Sequence, residues 1–94
     1  MNSIDYLLKY ISNDDYKIIL NKYDSYKLEE LYNNRVDVDL NIRYLIKYGV
    51  SNISDIVINM IDDLLMPHNE FIKKINNYEN KMSKEEVIIM LENI

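Results

Sequence analysis

The sequence predicts an all-α domain, a compact bundle or short array of about seven short helices in which a two-helix unit recurs. Three observations carry this. Apolar residues return at helical spacing along most of the chain. Each such stripe is broken within about 14 residues by a capping residue, the single glycine or the single proline, too soon for a coiled coil. Only one stretch, residues 35–38, alternates as a strand would, and it has no second strand to pair with.

The first helix opens at Ser3, its expected N-cap, with Ile4, Leu7, Leu8 and Ile11 on one face. Ser12 and Asn13 cap the second. Asp14 and Asp15 occupy its first turn, where the helix dipole favours acids, and Tyr16, Ile19, Leu20 and Tyr23 form its expected buried face. Asp24 interrupts, and Ser25 is the expected cap of a third helix with Leu28, Leu31 and Tyr32 inward, ending near Asn33 and Asn34. Arg35 to Val38 reads as an extended linker. Asp39 is the expected cap of a helix carrying Ile42, Leu45 and Ile46, stopped by Gly49 in the left-handed conformation. The longest helix is expected from Ser51 or Asn52 up to Pro67, with Ile53, Ile56, Val57, Met60, Ile61, Leu64 and Leu65 on one stripe. A sixth carries Phe71, Ile72, Ile75 and Tyr78, and residues 76–81 read as a polar loop. Ser83 with Glu86 matches a capping box ahead of a last helix bearing Val87, Met90, Leu91 and Ile94.

The recurrence lies in IDYLLKY at 4–10 and IRYLIKY at 42–48, continued after Gly49 as ISN against VSN, so that seven of ten positions agree. It predicts repeat units at 3–33 and 39–66, with 69–94 as a degenerate third inside one domain. Over residues 41–94, the order helix, turn at Gly49-Val50-Ser51, helix ending at Leu64-Leu65, helix resembles the repeat of mitochondrial transcription termination factors. That resemblance implies a helical-repeat fold and a basic concave surface for DNA. This chain is acidic, with 16 acidic against 11 basic residues and a net charge of −5. The DNA-binding activity therefore does not carry over with the resemblance.

Composition narrows the function classes. An apolar content of 48% with 29% charge is that of a folding globular chain, and 94 residues make one domain. No cysteine is present, which removes disulfides, thiolate metal sites and cysteine nucleophiles. One glycine cannot build a phosphate-cradling loop. No apolar run approaches the roughly 20 residues of a membrane span, and the start lacks the pattern of a secretory signal, so the expectation is cytoplasmic, or host cytoplasm for a viral protein. Abundant Ile, Asn, Lys and Tyr without alanine is the usage of an AT-rich genome.

No cofactor, metal or catalytic residue is expected. His68 is the sole histidine and reads as a surface or capping residue. Adjacent acids on a helix diverge by about 100 degrees, so Asp14-Asp15 and Asp62-Asp63 read as solvated faces, kept as weak binding candidates. Tyr6 with Tyr10, and Tyr44 with Tyr48, stand at i, i+4 beside each copy's stripe. They are read as rings covering the core edge and as candidates for a recognition surface. Lys73, Lys74, Lys81 and Lys84 form the one basic cluster evident along the chain and read as a solvated face. The expected function is non-enzymatic: an acidic helical protein that binds a protein partner. The alternatives are a phage or mobile-element inhibitor of a nucleic-acid-binding complex, anti-CRISPR-like in kind, and a helical-repeat nucleic-acid-binding protein.

Overall fold

A computed structural model describes residues 3–93; Ile94, expected on the last stripe, lies outside them. Among the described residues the chain is all helical and has no strand. A 3-10 helix at Asp5–Lys9 precedes seven α-helices: α1 Asn13–Lys22, α2 Ser25–Asn33, α3 Arg35–Tyr48, α4 Ile53–Asn59, α5 Ile61–Leu64, α6 His68–Tyr78 and α7 Lys84–Glu92. They stack into an elongated body of 42 × 25 × 19 Å. Its radius of gyration of 13.3 Å exceeds the roughly 12 Å of an equally long sphere-like domain, as a short helical array should.

Several punctuation marks act as expected. The Ser12 hydroxyl accepts from the Asp15 amide, Ser83 and Glu86 close a reciprocal capping box, and Gly49 ends α3 at φ +115. Pro67 precedes α6 as its N-cap.

The linker expected at 35–38 is instead the first turn of α3, and Asp39 lies within that helix rather than capping it. Four residues are too few to separate the two periods. In a strand Val36 and Val38 would share a face; on a helix residues two apart lie about 200 degrees apart. Accordingly Val38 is fully buried and Val36 is 67% exposed. The chain passes from α2 into α3 through the single residue Asn34, whose amide bonds the Glu30 carbonyl.

The long helix expected up to Pro67 is broken at Met60 into α4 and α5. The carbonyl of Ile58, which would accept from residue 62 in an unbroken helix, instead accepts from the Tyr23 hydroxyl and the Lys22 ammonium. Ile56, Val57, Ile61 and Leu64 stay buried across the break, so apolar spacing could not reveal it. The cap of α2 is Asp24, not Ser25, because the Asp24 carboxylate reaches the Lys27 amide. Ser3 bonds the Asp5 amide but opens a 3-10 helix rather than an α-helix. Residues 76–78, expected in a loop, finish α6. Leu8, Leu20 and Ile46, assigned inward, are exposed.

Helix α3 is the organising element. It packs on the 3-10 helix, α2, α4, α5 and α6, and buries Val38, Ile42 and Leu45 almost completely. Asn41, also on this inner face, is the one buried polar residue among those described. Its amide nitrogen donates to the carbonyls of Leu64 and Met66, both at 2.9 Å. Carbonyls at a helix end lack intrahelical donors, and Pro67 has no amide to offer, so Asn41 supplies what the local chain cannot.

Candidate interaction surface

Tyr6 and Tyr10 direct their hydroxyls into the fold. The Tyr6 hydroxyl donates to the Leu31 carbonyl at 2.7 Å and the Tyr10 hydroxyl to Asp39 at 2.6 Å, fastening the 3-10 helix to α2 and α3. Burial, with the Asp39 hydrogen bond, pushes the Tyr10 hydroxyl up to about 12; burial also raises Tyr6. Asp39 additionally pairs with Lys9 at 2.9 Å. Burial works to raise its carboxyl, but the bonds from Tyr10 and Lys9 prevail and hold it below the usual carboxylate range.

Tyr44 and Tyr48 form a second group. Their rings lie 6.0 Å apart, and Tyr44 also meets His68 and Phe71 edge-on. Tyr48 is buried, its hydroxyl without a hydrogen-bond partner among the described residues, and burial with the nearby Glu79 carboxylate pushes it up to about 12. The acidic pairs do not converge. Asp14 and Asp15 sit in the first turn of α1. Asp62 pairs with Lys27 and Asp63 with Lys74, each at 2.6 Å and on different helices.

His68 starts α6, where its amide donates to Asp37 and its Nδ1 lies 2.8 Å from the Asn41 side-chain oxygen. Because the Asn41 nitrogen already donates to two carbonyls, that oxygen must accept, so Nδ1 carries a proton. His68, read as a surface or capping residue, is half-buried at the start of α6 and is held in place by α3. Of the expected lysine cluster, Lys74 is spent on Asp63 and Lys84 lies over the Tyr48 ring at 5.0 Å.

Basic charge gathers elsewhere, along the outer side of α3. Val36, Leu40, Arg43 and Lys47 follow the i, i+4, i+7, i+11 spacing of one helical stripe. Three connected grooves run beside it. The first, of about 340 Å³, has Lys9, Arg35, Val36, Asp39 and Arg43 in its walls. A second of about 320 Å³ shares Leu40 and Arg43 with it and adds Lys47 and His68. The third, about 280 Å³, lies at Tyr44, Lys47 and Tyr48. Among the residues lining them, four are cations and Asp39 is the one carboxylate. The grooves along α2 have the opposite character, with Asp5 and Glu29 in one, Glu29 and Glu30 in the other, and no cation in either.

Sequence reading missed the α3 stripe because its first member sits in the supposed linker. The signal was present: once 35–38 is helical, Val36 falls in line with Leu40, Arg43 and Lys47. Among the described residues, no group of three or more His, Cys, Asp or Glu could hold a metal ion, and no helix is long and apolar enough to cross a membrane. Against family models, curated proteins and solved structures the chain finds no match.

Proposed function

We propose that this chain is a non-enzymatic interaction module that binds a partner protein through the outer face of α3. The observation that carries the reading is Val36, a β-branched apolar side chain left 67% exposed on a helix whose opposite face is the core. Holding it in water forgoes the roughly 1.5 to 3 kcal/mol that burial of such a side chain contributes. Beside it the grooves supply concave walls, and the cations rim them. Apolar centre and charged rim are the arrangement of protein-binding patches.

A second reading, an inhibitor that occupies the basic groove of a nucleic-acid-binding complex, draws on the carboxylate-lined grooves along α2, where Tyr26 is 72% exposed. A photo-crosslinking residue placed at Val36 or at Tyr26 separates the two in cells that encode the chain. The α3 reading expects a discrete protein adduct from position 36 and none from 26. An adduct from position 26 alone, formed with a nucleic-acid-binding protein, supports the inhibitor and sinks the first reading.

A further inference from the structure

We infer that the occupant of the α3 face is an acidic amphipathic helix, with apolar residues to cover Val36 and Leu40 and carboxylates to meet Lys9, Arg35, Arg43 and Lys47. The inference rests on the docking face proposed above and adds the chemistry of what docks there.

Charge distribution is the first support. The four cations and Asp39 give the lining of these grooves a formal +3, so the rest of the chain carries −8 of the total −5. In a protein of this sign a positive strip selects an anionic partner, and the net negative charge of the remainder disfavours acidic molecules there. Asp39 cancels Lys9, its 2.9 Å partner, and with only 19% of its side chain exposed it leaves Arg35, Arg43 and Lys47 as the outward-facing charge of the strip. Arg43 projects outward, 64% exposed, with its contact to Asp39 stretched to 3.8 Å.

Shape is the second. The 14 residues of α3 make a ridge about 21 Å long, and the grooves lie connected along it. A helix laid alongside such a ridge packs its side chains into the flanking grooves and meets anchors at i, i+4 and i+7. The apolar component argues against a nucleic acid, whose backbone would gain from the cations but leave Val36 and Leu40 uncovered.

The test uses the full chain, isotopically labelled, with three helical peptides of about 14 residues matched to α3. They share one leucine stripe and carry Glu, Gln or Lys at the flanking positions; a single-stranded oligonucleotide is the fourth probe. At low ionic strength the Glu peptide should shift the amides of α3 and the Lys peptide should not. Arg43→Glu with Lys47→Glu should weaken the Glu peptide by roughly tenfold or more while leaving the circular dichroism unchanged, since both side chains are exposed. Equal binding of the Gln and Glu peptides overturns the acidic chemistry but leaves the docking face standing. Tighter binding of the oligonucleotide on α3 overturns both. If no peptide perturbs α3, the inference fails and the crosslinking experiment alone decides the face. Self-association of the free chain that the double variant abolishes would make the occupant a second copy and overturn the inference as well.

Discussion

Residues 4–10 and 42–48 carry nearly the same letters, and the fold treats them as equals in one respect and as opposites in another. Ile4 and Ile42, Leu7 and Leu45, Ile11 and Val50 are all buried. Yet the first segment is a five-residue 3-10 helix and the second is the closing half of a 14-residue α-helix. Side-chain pattern decides which residues face the core; the length of helix already formed decides the hydrogen bonding. Residues 35–41 meet the cost of nucleation before Ile42 is reached. Only Ser3 and Ile4 precede the 3-10 helix among the described residues, and i to i+3 bonds suit such short pieces, as from the Leu7 amide to the Ile4 carbonyl at 3.0 Å.

The two segments differ most in what stands one residue upstream, where Ser3 matches Asn41. Ser3 is exposed, and its hydroxyl accepts from the Asp5 amide two residues on. Asn41 is fully buried and holds three partners. Asn41→Ala leaves two carbonyls and the His68 Nδ1 proton without partners, and should cost about 2 to 4 kcal/mol, read as a lowered urea midpoint at unchanged slope. Ser3→Ala should stay within about 0.5 kcal/mol. Equal losses at the two positions would show that the hub around Asn41 is not what holds α5 and α6 to α3.

That contrast also marks how far the sequence was legible. The all-helical class and the stops at Asp24, Gly49 and Pro67 were readable because caps and breakers act within a few residues; the count of seven α-helices agrees because the break at Met60 adds one where the first expected helix is 3-10. Asn41 was not, since its partners lie 23 to 27 positions away and nothing local distinguishes it from a solvated asparagine. The break at Met60 hid for the same reason: the Ile58 carbonyl that it frees is taken up by Tyr23, just past the end of α1. The candidate face along α3 was lost through a local ambiguity, the two valines of Arg35 to Val38 fitting either period until a long helix settled it.

A smaller effect is expected at the ends of the two segments. Tyr10 closes the first at φ −120, which any residue adopts, whereas Gly49 follows the second at φ +115. Gly49→Ala should destabilise by about 1 to 2 kcal/mol, because a side chain there is strained and its Cβ would lie 3.2 Å from Ile88. Thermal melts should show this loss at Gly49→Ala; an unchanged melt would mean that the α3 terminus relaxes freely.

The matched tyrosines separate most finely. Tyr10→Phe removes a hydrogen bond to Asp39 and should cost about 1 kcal/mol, while Tyr48→Phe removes a buried hydroxyl without a partner and should be neutral or slightly stabilising. Their pH profiles should differ in the same sense. Burial raises both hydroxyls to about 12, so ionising either one costs stability: nothing is lost below the ordinary pKa near 10, and stability falls as pH climbs toward 12. Asp39 is lowered, so its contribution is present above the ordinary carboxylate value near 4 and lost as pH falls through the folded value. Tyr10→Phe takes away a bond that lowers Asp39 and should flatten both the acid and the alkaline limbs of stability against pH. Tyr48→Phe should flatten the alkaline limb alone. The acid-limb change will be slight, because Lys9, more than half exposed, still faces Asp39 across solvent-screened space. Denaturation midpoints across the pH range resolve it, and an acid limb untouched by Tyr10→Phe would place the stabilisation of Asp39 with Lys9 and Arg43 instead.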